Sequence, residues 1–399
     1  MNRRQFLLAS AAAAAVPALG LAPGRLFAAP VDTPRLLVVF LRGGYDANNL
    51  LVPYGSDFYY QSRPKLAIAK PDTANPDSAI ALDGHWGLAP AVKDTVKPLW
   101  DRKQVAFVPF SGTTDLSRSH FETQDNIEAG EADGHSMAQR SGFLARLSAV
   151  MKPASPIAFT DSLPLSFQGA GDIPNISLRG AGKAAFDDRQ SALLAGMYRG
   201  TPLEQAASDG LKLRQQVSAD LTREMVASSR GAVSAKGFAL ETQRMATLMR
   251  DQYRLGFVDV GGWDTHVNQG AAKGQLANNL GNLGAGLAAY ADALGEEWNN
   301  TVVIVVSEFG RTFRENGNQG TDHGHGTTYW VLGGRVRGGR IAGDQVTITQ
   351  PNLLQDRDYP VLNNYRDVIG GLLARGWGLS SKQVQQVFPG SKPKDLQLV

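Results

Sequence analysis

A chain of 399 residues, 43% of them hydrophobic and none of them cysteine, has room for one large α/β domain or two smaller ones. It excludes a disulfide framework and thiolate metal ligands. The formal charge of +3 comes entirely from residues 1–29, which hold Arg3, Arg4 and Arg25 and no acid; removing those three from the 40 basic residues leaves 37, equal to the 37 acids, so no basic surface for nucleic acid is expected.

In chain order, "MNRRQFLLASAAAAAVPALGLAPGRLFAAP" places an arginine pair before Phe6 and Leu7, a mild apolar run and a small-residue segment. This is the pattern of a cleaved twin-arginine export signal over residues 1–29, which sends the mature protein to the periplasm or otherwise out of the cytoplasm. The run is short, rich in alanine and broken by Pro17 and Gly20, so a membrane-spanning helix is not expected there. Export of a folded chain suits a protein that acquires a metal before it crosses the membrane.

Residues 30–399 are expected to form a single domain with insertions. "LLVVFL" (36–41), "VAFVPF" (105–110), "GFVDV" (256–260) and "TVVIVV" (301–306) are short apolar runs of the kind found in strands covered on both faces. The region 150–200 suggests short strands and turns, either an insertion or a small antiparallel sheet. Helical patterns occupy about 203–228, 235–252 and 275–294, where Leu276, Leu280, Leu283, Leu287 and Leu294 recur at helix spacing. "NYRDVIGGLLARGWGL" near the C-terminus suggests another. Alternation of this kind predicts a doubly wound, mostly parallel α/β sheet with helices on both faces. "GGRVRGGR" (333–340) is read as a Gly-rich hairpin, with a polyanion-binding loop as the weaker alternative.

Three of the predicted strands run into an acid: Asp46 after "RGGY", Asp264 after "GGW", and Glu308 after Ser307. In open parallel sheets the carboxyl ends of the strands line the ligand crevice, so these carboxylates are expected to converge. Crowded carboxylates need a positive charge among them. "WDTH" sets Asp264 and His266 at i and i+2, and "TDHGH" sets His323 and His325 the same way, so in extended chain each pair can face one point. Mixed His and Asp/Glu ligation points to one or two divalent ions, zinc or manganese. His120, in "RSHF", is a further candidate ligand. A His-Gly-His loop can equally bridge a turn, and an Asp after a strand is often only a helix cap. His85 in "DGHWGL" and His135 in "ADGHS" are expected in turns.

"FLRGGYDANNLLVPYG", "SRSHFETQDNIEAG", "GGWDTH", "SEFGRT" and "TDHGHGT" resemble, in this order, the signatures of a bacterial family catalogued as domain of unknown function 1501, across essentially the whole mature chain. That family resembles a distant branch of the alkaline phosphatase and sulfatase superfamily. The resemblance implies an alkaline-phosphatase-like fold with metals at the carboxyl edge of the sheet and a Ser, Thr or modified Cys nucleophile. It assigns Asp46, Asp264, His266, Glu308 and His323 or His325 to metal, with His120 as a possible replacement, and it places Ser119 where the nucleophile stands. Phe309 occupies the position of a usual histidine ligand, and Tyr45 and Ala47 depart from the first motif, whereas Asn49 is retained and could bind a ligand oxygen. Ser119 is equally readable as an N-cap, with Glu122 completing a capping box.

The function expected is hydrolysis of a small anionic ester, phosphate or sulfate, with Arg118 or Arg311 clamping the substrate through its guanidinium. The alternative is an exported, non-catalytic binding or assembly protein that keeps the fold, with or without one structural metal. A protein partner is possible on either reading.

Overall fold

The run "LLVVFL" becomes a central strand of the molecule, β1 (Arg35–Leu41), buried along its whole length. The structure is a computed structural model that describes residues 33–131, 141–151, 154–178, 196–206, 208–209 and 237–399. Pro34–Val399 forms one compact unit, to which every element named below belongs. His135 and nearly all of the predicted helix over 203–228 lie outside the described residues.

Three short strands follow β1: β2 (Leu51–Val52), β3 (Ile80–Ala81) and β4 (Gly87–Leu88). The remaining strands are β5 (Val105–Gly112), β6 (Pro156–Phe159), β7 (Leu255–Val260), β8 (Thr301–Ser307), β9 (Thr327–Leu332), β10 (Arg340–Ile341) and β11 (Asn363–Asn364). The main sheet has the order β10-β5-β9-β8-β1-β7-β6, with β11 also on β5. β1 pairs in parallel with β7 and β8, and β6 with β7. β9 runs antiparallel to both β5 and β8. The sheet is therefore mostly parallel, as the β-branched runs predicted.

Two expectations change. The segment over 150–200 does not form its own antiparallel sheet among the described residues: β6 joins the main sheet as a parallel edge strand. The small antiparallel sheet is made instead by β2, β4 and β3. β9 went unpredicted because its apolar run, "TTYWVL", follows the histidine loop directly, with no punctuation of its own.

Alternation along β1 divides the core. Leu37, Val39 and Leu41 face one layer, packed with Met245 and Met249 of helix Phe238–Asp251 and with Leu276, Leu280, Leu283 and Leu287 of helix Gln275–Leu294. Leu36, Val38 and Phe40 face the other, with Phe143, Leu144 and Leu147 of helix Phe143–Val150 and Ile369, Leu372 and Leu373 of helix Tyr365–Trp377. Helices thus cover both faces, which is why the strands need no polar side. Successive side chains on a strand point to opposite faces, so one run can feed two layers. No helix among the described residues is long and apolar enough to cross a membrane.

The antiparallel course of β9 within the main sheet has a consequence for the site. β8 delivers Glu308 to the carboxyl edge of the parallel strands, and β9 runs back from that same edge. Residues 308–326 must therefore stay at the rim, and "TDHGH" with them.

Candidate metal centre

The turn after β1 brings three loops into contact. Gly43 and Gly44 have φ of 125° and 61°, which L side chains rarely adopt. A Cβ on Gly43 would lie 2.7 Å from the Asp264 backbone N, and one on Gly44 would lie 2.5 Å from the Phe309 ring. With no side chain there, the ends of β1, β7 and β8 close on one another. The Gly43 N–H donates to Glu308 Oε1 at 2.8 Å.

Helix α1 (His120–Ala129) approaches the same rim. His120 and Gln124 are one turn apart on one face of it. Both reach the buried Glu308: His120 Nδ1 donates to Oε1 at 2.7 Å and Gln124 Nε2 at 2.8 Å. Burial alone would raise the Glu308 pKa, but the hydrogen bonds from His120, Gln124 and backbone N–H groups outweigh it and hold the carboxyl below its usual range.

An ionised carboxylate can only accept, so the Glu308 contact keeps the His120 proton on Nδ1 and leaves Nε2 with a lone pair. His323 Nδ1 donates to the Arg118 carbonyl at 3.1 Å, and His266 Nδ1 donates to Asp322 Oδ1 at 3.2 Å. With Nδ1 donating outward in each, the neutral form of all three imidazoles turns its Nε2 lone pair inward. His120 Nε2 and His323 Nε2 stand 2.9 Å apart, and His266 Nε2 is 3.1 Å from His323 Nε2. The Asp264 carboxylate completes the group, with Oδ1 at 2.9 Å from His266 Nε2 and 3.3 Å from His323 Nε2, and Oδ2 at 3.6 Å from His120 Nε2. Burial, together with the nearby His120 and Arg311, lowers the His323 pKa, so that ring resists protonation.

Lone pairs converging at such distances repel unless a cation sits among them. Zinc bonds of about 2.0–2.1 Å in a tetrahedron put neighbouring ligand atoms roughly 3.3 Å apart, close to the spacing found here. His120, Asp264 and His323 offer ligand atoms that all lie within 4.8 Å of one another. The outward Nδ1–H bonds to Glu308, Asp322 and a carbonyl are the supports that metal-binding histidines use. The donor set fits a divalent ion.

Other expected members stand elsewhere. Asp46 is fully buried and caps the short 3₁₀ turn Ala47–Asn49. Its Oδ2 accepts from Arg63 at 2.5 Å and Gln269 at 2.6 Å, and its Oδ1 from Arg63 at 3.0 Å. With both oxygens engaged, it supports the rim rather than joining the centre. Gln269 links it to the rim loops, accepting from Thr265 and Thr321 at 2.7 Å each. Asn49 is likewise internal: its side chain accepts from Tyr59 and Arg63 and donates to the Leu66 carbonyl. His325 is outside the group. It is buried near Arg118 and Asp115, and burial pushes its pKa down to about 4.

Both arginines are already bonded to other protein groups. Arg311 is buried and donates to the Gly43, Gly44, Trp263 and Thr321 carbonyls as well as to Asp264 Oδ1 at 2.5 Å. Its charge holds Asp264 below the usual carboxylate range against the opposing effect of burial. Arg118 donates to Asp358 Oδ2 from Nε at 3.0 Å and from a terminal nitrogen at 2.7 Å. Both arginines thus help to shape the rim.

Ser119 is the N-cap of α1, its Oγ accepting from the Glu122 N–H at 3.5 Å. The Ser119 N–H goes to Ser117 Oγ at 3.3 Å. Phe309 packs on His120 and His323 with ring centroids 4.8 and 5.1 Å away, so an apolar ring lies where the resemblance implied a ligand. His85 is exposed, and its N–H and that of Trp86 close a turn on Asp83. Sequence reasoning missed Gln124 and Asp322, although both stand inside the quoted motifs. Arg63 and Gln269 lie outside them, and nothing in the sequence marked them.

Residues 1–20 match the twin-arginine translocation pathway signal sequence, so the chain is exported by that route. No curated protein matches it. Among solved structures it is similar to a protein in the alkaline phosphatase superfamily from Vibrio parahaemolyticus (12% identity, 92% of this chain and 70% of that one, TM-score 0.41). It is also similar to the lipoteichoic acid synthase LtaP from Listeria monocytogenes (7% identity, 91% and 75%, TM-score 0.40). A third similarity is to alkaline phosphatase from the Antarctic bacterium TAB5 (13% identity, 75% and 91%, TM-score 0.31). Residues 33–388 match one family over nearly the whole compact unit, and the chain belongs to it: the protein of unknown function family DUF1501.

Proposed function

We propose that the exported chain, cleaved after its signal, is a metal-dependent hydrolase of phosphate or sulfate esters, with one divalent ion held by His120, Asp264, His266 and His323. The observation that carries this reading is the convergence of three imidazole Nε2 atoms on the Asp264 carboxylate, each ring fixed from behind through Nδ1.

A divalent ion held by these residues would supply Lewis acidity toward a non-bridging ester oxygen and would make the attacking hydroxyl or water more acidic. The chain's own residues do the rest. Glu308 keeps the His120 proton on Nδ1, and Arg311 holds the Asp264 carboxylate ionised and aimed at the rim. Ser119 is the proposed nucleophile: its Oγ receives only a long cap bond, 3.5 Å from the Glu122 nitrogen, so attack would sacrifice little. Phe309 walls one side of the rings and limits water there.

Elemental analysis beside an ester panel tests the proposal. One zinc or manganese per chain is expected in wild type and none in the Asp264→Ala/His266→Ala variant. Removal by chelator should abolish turnover, and re-addition should restore it. A wild-type protein without stoichiometric metal sinks the reading. Ser119→Ala with metal retained and turnover lost assigns the nucleophile; unchanged turnover leaves Ser119 as a cap alone.

A second reading has a specific observation behind it. Asp46 is engaged by Arg63, and Phe309 fills a ligand position, which favours a single ion over two. A binding or assembly protein with one structural metal fits that arrangement, and metal without turnover of any ester would select it.

A further inference from the structure

The segment "GGRVRGGR" does not form the hairpin expected of it. β9 and β10 lie on either side of β5, so residues 333–339 cross over the start of β5 instead of turning back on themselves. Val336 is buried and anchors the crossing, while Arg335 and Arg337 on either side of it are exposed. The backbone ties the crossing down: the Gly333 N–H donates to the Gln104 carbonyl at 3.0 Å and the Gly338 N–H to the Lys103 carbonyl at 2.8 Å. A Cβ on Gly338 would lie 2.3 Å from the Val105 carbonyl oxygen, so glycine permits this close approach. Because β9 runs back from the rim that holds the histidines, its end at Leu332 brings the crossing to the opposite edge of the sheet.

Residues 102–104 and the crossing enclose an open cleft of about 500 Å³, a size usual for ligand sites. Its walls carry Arg102, Lys103, Arg337 and Arg340, and no acid. In a mature chain whose 37 basic and 37 acidic residues balance, this is a local excess of positive charge. Among the described residues none of the four cations forms an ion pair, and the acids close by in sequence are engaged elsewhere. Asp395 is bonded to Arg375 at 2.8 Å and Asp101 to Lys97 at 2.6 Å.

Two of the guanidiniums are held by neutral groups. Arg340 Nε donates to the Arg337 carbonyl at 3.0 Å, and one terminal nitrogen donates to the Leu396 and Gln397 carbonyls at 2.5 and 2.8 Å. Arg102 Nε donates to Gln104 Oε1 at 3.2 Å. Carbonyls and an amide thus position these charges without neutralising them. Lys103 follows helix Val96–Asp101 at φ 59°, where glycine is the usual residue, so a cationic side chain stands at a costly backbone position.

A cleft lined by one sign of charge focuses its field, and positioned guanidiniums match the oxygens of phosphate. We infer that this cleft binds a soluble anion carrying several phosphate groups, at a site separate from the metal centre and independent of the hydrolase reading. A lone phosphate would fill a small part of the cleft, whereas a short chain of phosphates can meet cations on both walls.

Calorimetric titration of the mature protein with tripolyphosphate and orthophosphate at low salt tests this. Tripolyphosphate should saturate one site, about tenfold or more tighter than orthophosphate, through its additional charge-assisted hydrogen bonds. Binding should weaken as salt is raised. Lys103→Gln/Arg337→Gln should lose about tenfold in tripolyphosphate affinity. Both side chains are exposed, so the fold should persist, which circular dichroism checks. The Asp264→Ala/His266→Ala variant should bind tripolyphosphate like wild type, which separates the cleft from any metal at the other edge. Absence of saturable binding, equal affinity for the two anions, wild-type affinity in Lys103→Gln/Arg337→Gln, or loss of binding in the Asp264→Ala/His266→Ala variant each overturns the inference.

Discussion

Glu308 and Asp46 follow their strands in the same way in sequence, yet they do different work. Glu308 receives His120, Gln124 and the Gly43 N–H, so its charge is directed at an imidazole. Glu308→Gln removes that charge and weakens the hold on the His120 tautomer. Metal affinity should fall by about 10–100-fold, read by competition with a chelator. Asp46 faces Arg63 instead, both side chains being fully buried. Removing one partner of such a pair leaves a charge without compensation, so Asp46→Ala should cost about 3–5 kcal/mol. Urea unfolding in the presence of chelator is the discriminating measurement. A support for the rim destabilises the metal-free protein, whereas a simple ligand would matter only with metal present. The sequence could not separate the two acids because Arg63 lies 17 residues beyond Asp46 and Gln269 lies 223 beyond it.

Helix Gln275–Leu294 follows its leucine spacing to both predicted ends. Its glycines are explained by a neighbour rather than by the helix itself. A Cβ on Gly286 would lie 2.3 Å from the Phe238 ring, at the start of helix Phe238–Asp251. Gly286→Ala should therefore destabilise by about 1–3 kcal/mol despite the better helix propensity of alanine. Adding Phe238→Ala should recover part of that loss, as a double-mutant cycle in thermal unfolding would show. Strands β1, β5, β7 and β8 were legible because continuous β-branched runs have few other uses. β9 was not, because strand direction and neighbour are decided by pairing partners far along the chain. Its antiparallel entry nevertheless keeps His323 at the rim.

Across the whole molecule, burial of neutral histidine sets a pH limit. His325 has a pKa of about 4 in the fold against an ordinary value of 6.5. The unfolded chain therefore takes up a proton between those values that the folded chain refuses. Stability should be full above pH 6.5 and fall as pH drops toward 4, by roughly 3 kcal/mol from this group. Urea midpoints from pH 7.5 down to 4.5 check this, and His325→Gln should flatten the slope. The lowered carboxyls of Asp264 and Glu308 add a further loss in more acid solution, as each is protonated.

What the sequence determined by itself was the local pattern: the export signal, the buried strands and the short polar motifs that hold histidine and acid. Those properties depend on neighbours a few residues apart, and composition and periodicity record them. Which acids meet which histidines was decided only in three dimensions. His323 joins the centre while His325, two residues on, is buried near Arg118 and Asp115. Arg311, which could have been a free clamp, is enclosed by four carbonyls and Asp264. The physical reason is that a buried charge or lone pair must be satisfied by whatever the fold brings beside it. In a sheet built from distant strands, those partners come from remote parts of the chain.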